Sequence, residues 1–281
     1  MNRRQTIFSL MLAAALAVGA HVTPAQQSFK ERFIAHNNAM TALQPAFVTP
    51  LVEADPRLLQ YVRASFSQER SAAGTETVNY GNCRGGGVIA GNRFEFDYVP
   101  PSYIQHNSSA VDGLGDTSAL VKYRVASGNA EHGNFAVAAI LSHSFATGTY
   151  KNGAATDTFG PMLAAGYAFL RRFDVQSSLG GVMPTGKIAT QGRTIAGNML
   201  AQARANKHVW FEVENNATFY VGGVHGGKMQ NFVTPAAFYV ARRKEWKPTH
   251  PFFVMDGGMQ IATSGYHAYN HNLISEVRIL F

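Results

Sequence analysis

From Arg57 to the carboxyl terminus the chain repeats one pattern: apolar and polar side chains alternate, then a cluster of Gly, Asn or Asp intervenes. Twelve segments carry the alternation, at 58–69, 77–90, 92–99, 115–127, 135–147, 157–170, 173–184, 194–206, 209–222, 230–242, 251–264 and 269–281. In "FDVQSSLGGVM", Phe173, Val175, Leu179 and Met183 share one face, and Asp174, Gln176 and Ser178 share the other. Phe94, Phe96 and Tyr98 oppose Arg93, Glu95 and Asp97 in the same way. Val209, Phe211 and Val213 oppose Trp210, Glu212 and Glu214. The segment 230–242 is ambiguous, with apolar residues on both faces.

A soluble sandwich also alternates, so length and charge must decide. Strands of soluble proteins average about five or six residues, whereas a tilted strand crossing a bilayer needs roughly 9–11. The segments here are mostly of the longer kind, and their polar faces carry charges in mid-strand, which suits a wet lumen. The expected fold is all-β: a transmembrane antiparallel up-and-down barrel of about 12 strands with a short N-terminal periplasmic extension. Connection lengths agree. "LRR" (170–172), "NKH" (206–208) and Gly91-Asn92 are short and read as periplasmic turns. "PPSYIQHNSSAVDGLG" (100–115), "GTYKNGAATD" (148–157), "PTGKIATQGR" (184–193) and "GGVHGGKM" (222–229) are longer and read as outer loops. "RRKEWKPTH" (242–250) is long on the periplasmic side and breaks the rule.

The amino terminus supplies the route. Arg3 and Arg4 precede an apolar stretch from Ile7 to Ala20, and small-residue cleavage patterns end at Ala20 and Ala25. That is the layout of a secretory signal peptide, and the stretch is shorter than the roughly 20 residues of a spanning helix. The expected organisation is a cleaved leader at 1–25, a periplasmic extension or partial plug at 26–56 and the barrel at 57–281, placed in a Gram-negative outer membrane. Within the extension, "SFKERFIAHNNAMTALQ" reads as a turn or two of amphipathic helix, and Pro45, Pro50 and Pro56 interrupt any regular pattern after it. A single cysteine, Cys83, excludes an internal disulfide, so hydrogen bonding must hold the exported chain. Loss of the leader leaves a net charge of +5, but no compact Lys/Arg cluster with interleaved aromatics points to nucleic acid.

The chain ends "SEVRILF", alternating to the last residue. A closed barrel explains this, because its final strand pairs with its first and leaves no edge. Several stretches resemble one family: "LQPAFVTPLVEADPRLLQYVRASFS" (43–67), "GLGDTSALVKYRV" (113–125), "FGPMLAAGYAF" with "RFDVQSSLGGVMPTG" (159–186), and "GGMQIATSGYHAYNHNLISEVRILF" (257–281). They resemble the MetA-pathway of phenol degradation family of outer-membrane barrels. The resemblance implies a channel or transport role for a small solute, with no catalytic residue set and no cofactor. It also implies that Val277, Ile279 and Phe281 form the terminal signal read by the barrel-insertion machinery.

The inward faces define the candidate lumen set: Arg63, Glu69, Glu95, Asp97, Lys122, Arg124, Asp174, Arg204, Glu212, Glu214, Asp256, Glu276 and Arg278. Acids outnumber bases, which as a ring would favour cations weakly. The plainer expectation is a salt-bridge network that fills a narrow lumen. Phe145, Phe159, Phe169, Phe173, Trp210, Phe219, Tyr220, Phe252 and Phe253 lie near strand ends and suit interfacial belts. Lys151, Lys187, Arg193 and Lys228 in outer loops suit lipid and lipopolysaccharide head groups.

His267 and His271 in "YHAYNHN", with His225, lack the companions of a metal site and read as loop hydrogen bonders. Asp112 and Asp116 in "DGLGD" read as a turn, and "CRGGG" (83–87) as a bulge or close backbone approach. Three functions compete: a channel for small solutes, hydrophobic or aromatic ones included; a structural or adhesive barrel that passes nothing; and a lipid-modifying enzyme. The third has only Ser264 near His267 and His271, without a GxSxG elbow or an orienting third group.

Overall fold

The computed structural model describes residues 28–81, 84–170, 172–241 and 252–281. The leader and 242–250 lie outside the described residues, as does Cys83. Fifteen stretches of strand form one sheet: β1 (Tyr61–Arg70), β2 (Glu76–Tyr80), β3 (Gly85–Ala90), β4 (Phe94–Val99), β5 (Tyr103–His106), β6 (Gly113–Leu114), β7 (Thr117–Gly128), β8 (Phe135–Phe145), β9 (Thr158–Phe169), β10 (Phe173–Pro184), β11 (Arg193–Arg204), β12 (Val209–Val221), β13 (Met229–Ala241), β14 (Phe252–Ala262) and β15 (His271–Leu280). β1 pairs with β15 from Tyr61↔Leu280 to Arg70↔His271, so the sheet closes into a barrel.

Three pairs are interrupted single strands. β2 and β3 both pair with β1, one after the other along its length. β4 and β5 are split at Pro100-Pro101, where ladder donors are missing. β6 and β7 are split at Gly115-Asp116. Counted this way the barrel has twelve antiparallel strands, as the alternation predicts. The stretch 100–115 is not wholly loop, because β5 and β6 continue the wall within it. β1 starts at Tyr61 rather than at 58.

The two faces separate cleanly. Leu163, Leu179 and Met199 point outward and are each more than half exposed, as side chains solvated by lipid must be. Glu95, Asp174, Glu214 and Arg278 alternate with such residues and are almost fully buried inside. A bulge at Val125 between Arg124 and Ala126 shifts the phase late in β7. Glycine permits a close approach near the "CRGGG" stretch, where a Cβ on Gly87 would stand 2.2 Å from an Asp97 oxygen and 2.7 Å from the Tyr61 ring.

Ahead of the barrel, helix α1 (Phe29–Thr41) is longer than the expected turn or two. Ser28 and Glu31 form a reciprocal capping box that satisfies two amides at its start. His36 bonds to the Gly91 carbonyl at 2.8 Å, and Asn37 donates to the Phe281 carbonyl at 2.5 Å. The helix is thereby tied to both the turn at 91–92 and the end of the last strand. A single-turn helix, α2 (Ile188–Gln191), sits in an outer loop.

Candidate functional site in the barrel lumen

After α1 the chain enters the barrel as a closed loop. Gln44 binds the Leu58 backbone in both directions, donating to its carbonyl at 3.0 Å and accepting from its amide at 2.6 Å. Between these ends Arg57 gathers the turn. Its guanidinium is bidentate on Asp55, at 3.0 and 2.6 Å. It also donates to the Phe47 carbonyl at 2.6 Å and stacks 4.1 Å above the Phe47 ring. Three prolines with few backbone donors suit a segment that must bury its main chain without a ladder.

The wall satisfies what remains of that main chain. Glu212 accepts from the Leu51 amide at 3.2 Å. Glu214 accepts from the Val52 amide at 2.8 Å and the Glu53 amide at 3.0 Å. Arg278 donates to the carbonyls of Thr49 and Pro50, both at 2.7 Å. Lys122 donates to the Arg57 carbonyl at 2.8 Å and pairs with Glu95 at 2.9 Å. Arg124 reaches the Met40 carbonyl at 3.2 Å. Acids of the wall hold amides and bases hold carbonyls, so charge-assisted bonds fix the loop's orientation.

Apolar contacts complete the seat. Val48 and Leu51 pack on Trp210, Phe238, Val240 and Ile274. This resolves the ambiguity of 230–242: the inner face of β13 is apolar because the loop covers it. Trp210 is therefore a buried inner residue and leaves the expected interfacial belt. Phe145, Phe159, Phe219 and Phe253 do point outward. The side chain of Phe252 lies outside the described residues. Gly166 makes room for the loop, since a Cβ there would stand 3.0 Å from the Phe47 ring and 3.1 Å from Pro56.

The expected lumen residues divide by height. Glu95, Lys122, Glu212, Glu214, Asp256, Glu276 and Arg278 converge on the loop and on one another, with Asp256 3.3 Å from Arg278 and Glu276 in direct contact with it. Arg63 lies 4.0 Å from Glu276, and Asp97 accepts from the Tyr61 hydroxyl at 2.9 Å. Asp174 accepts from Gln176 at 3.0 Å. Arg204 stands apart at the end of β11, bonded to the Asn206 carbonyl at 3.1 Å. Glu69 faces inward near the opposite end of β1. Gln44, Glu53, Asp55 and Arg57 were outside the expected set. The signal for them was three prolines flanking buriable charges in "QPAFVTPLVEADPRL".

Two loop carboxyls are perturbed. Burial pushes Glu53 up to about 7; the Ser178 hydroxyl opposes that rise and the Glu214 carboxylate adds to it. Burial would raise Asp55 too, but the Arg57 guanidinium and the more distant Lys122 outweigh it and hold Asp55 below the usual carboxylate range. A cavity of about 240 Å³ adjoins the loop tip, lined by residues that include Glu53, Asp97, Arg63 and Ile140.

The remaining motifs are structural. Asp116 accepts from the amides of Gly148 and Ala154, and Asp112 accepts from the His106 amide. His267 uses both ring nitrogens, on the Ser264 carbonyl and Asn270. The Ser264 hydroxyl donates to the Tyr266 carbonyl, so it forms no dyad with that ring. Tyr269 turns into the lumen: it stacks on Phe232 at 4.6 Å and donates to Gln260 at 2.5 Å. Lys228 lies 4.5 Å over the Tyr266 ring.

A closed twelve-strand barrel with an apolar outer band, charged inner wall and internal loop defines the outer-membrane β-barrel class. The sequence matches the family described as Putative MetA-pathway of phenol degradation over residues 41–209, and the chain belongs to that family. The fold is similar to an outer membrane channel of Pseudomonas putida F1, with a TM-score of 0.57 and 11% identity over 84% of this chain and 100% of that one. It is also similar to the NanC porin, with a TM-score of 0.50 and 8% identity over 79% of this chain and 98% of that one. Comparison with curated proteins found no sequence match.

Proposed function

We propose that the protein is a non-catalytic outer-membrane channel for small solutes, hydrophobic or aromatic compounds among them, and that residues 44–58 close it at rest. The observation that carries this reading is the attachment of the loop. It is held by side chains of β7, β12 and β15 through its own backbone, not by continuation of the sheet. Such a segment can leave without unzipping the barrel. The charged residues then serve mainly to seat the loop, so the weak cation preference expected of an open ring applies only once it has left. The channel fold of the neighbours and the family's association support a passage role.

Export follows from the leader at 1–25, and insertion from Val277, Ile279 and Phe281 at the terminal strand. Lys151, Lys187, Arg193 and Lys228 belong with the head groups of outer-membrane lipids and lipopolysaccharide. The test is swelling of proteoliposomes that carry the mature protein in a gradient of small solutes. Uptake above that of protein-free vesicles, increased by loosening the loop, is expected. Folded, inserted protein that passes nothing even when the loop is loosened would favour a purely structural barrel.

A further inference from the structure

The inner wall changes chemistry with height. Around the loop it is dense with charge. Beyond the loop, toward the outer rim, the inward positions gain hydroxyls and amides, Ser142, Thr194, Asn198, Asn216, Thr218 and Gln230, interleaved with Leu120 and Tyr220. All six are part-exposed, so this section is open rather than packed solid. Val182, on the same inner face, is 43% exposed, which requires free space beside it.

A hydrogen-bond chain of amides and hydroxyls, in which Asn216 also donates to the Glu214 carboxylate at 3.4 Å, marks the boundary. Asn198 donates to Ser178 at 3.0 Å, and Asn216 donates to Asn198 at 3.4 Å. Asn216 accepts from Thr234 and from Gln260, both at 3.4 Å, and Gln260 accepts from Tyr269. Several of these contacts are long and easily exchanged for a solute's own groups. Above Arg63 no Lys or Arg occupies an inward strand position among the described residues. The acids there are Glu69 and Asp116, and Asp116 is already occupied by two loop amides. His106 is bonded to Thr77 and Asn152.

Resting on the channel reading above, we propose that this outer section is a vestibule selective for uncharged, hydrogen-bonding solutes such as polyols and amides. A hydroxyl or amide entering it trades water for matching partners. An anion loses hydration and meets no Lys or Arg on the inward strands, and a cation meets only the Glu69 carboxyl. The vestibule lies outside the loop, so it admits solute whether or not the passage below is open.

That last property makes the test independent of conductance. Thr218→Cys on β12 and Ser142→Cys on β8, four strands apart round the wall, are each made in a Cys83→Ser background, and folding is checked by heat-dependent mobility. Neutral, cationic and anionic thiol reagents of similar size are added from outside, with rates normalised to a free thiol and to Ala154→Cys in an exposed loop. The neutral reagent is expected to modify both wall positions roughly tenfold faster than either ion. Equal normalised rates for a charged reagent would overturn the selectivity, and failure of all three at both positions would overturn the vestibule. The expected pattern from a protein that passes no solute would keep the vestibule and remove the channel reading instead.

Discussion

Glu214 holds Glu53 by its backbone and opposes it by its side chain. One Glu214 oxygen accepts the Glu53 amide at 3.0 Å, while its carboxylate raises the pKa of the Glu53 carboxyl that burial has already raised. No Lys, Arg or His forms an ion pair with either residue among the described residues. The loop tip is thus docked through a contact that tolerates a neutral Glu53 better than a charged one.

The pH dependence follows with a definite sign. Glu53 titrates near 4.5 when free and at about 7 when docked. Its neutral form is favoured in the docked state, so docking is unpenalised below about 4.5 and loses stability as pH rises toward and past 7. The loss is on the order of 3 kcal/mol at high pH. Open probability in a bilayer should therefore rise between pH 5 and 8, windows set by the same shift. Glu53→Gln should flatten that rise; an unchanged profile would remove Glu53 from the account.

Arg57 offers a test of the loop's own fold. Arg57→Ala leaves Asp55 buried without its partner, a change that costs about 3–5 kcal/mol in comparable pairs. Residues 44–58 should become open to limited proteolysis while the barrel keeps its heat-dependent mobility on gels. Simultaneous loss of both properties would mean that the loop is needed for the barrel itself.

Gly166 tests the seat without altering charge. Gly166→Val places side-chain carbon where the Phe47 ring and Pro56 now sit, so the loop should be displaced and uptake increased. Overpacking of this kind costs about 1–3 kcal/mol. Because Glu53 is unchanged, the remaining pH dependence should keep its sign. Reduced uptake would show that the pocket around Gly166 does not control the passage.

Lys122 joins loop to wall and neutralises Glu95. Lys122→Met strands a fully buried carboxylate and also removes the bond to the Arg57 carbonyl. The temperature at which the barrel unfolds on gels should fall, with a cost of roughly 3–5 kcal/mol. The double variant Lys122→Met with Glu95→Gln should recover much of that loss, and failure to recover would argue against the pair as the cause.

The wall was legible in the sequence because its constraint is local. Period-two alternation in stretches such as 173–184 and 269–281 names the face of each residue without knowledge of its neighbours. The lumen loop was not legible in the same way. Its seat depends on contacts between residues more than 150 positions apart, as with Leu51 and Glu212, and no periodicity records such pairs. The traces it left were indirect. The apolar inner face of β13 looked like an ambiguous strand, and Trp210 looked like a belt residue, because the partner that buries them lies far away in the chain.

The central claim is that residues 44–58 close a passage through the barrel. Single-channel conductance of the folded mature protein in a planar bilayer, beside a version lacking 45–56, tests it most directly. Brief, infrequent steps are expected from the intact chain and long-lived open levels from the shortened one. Equal conductance in both, or silence in both from protein shown to be inserted, would contradict it.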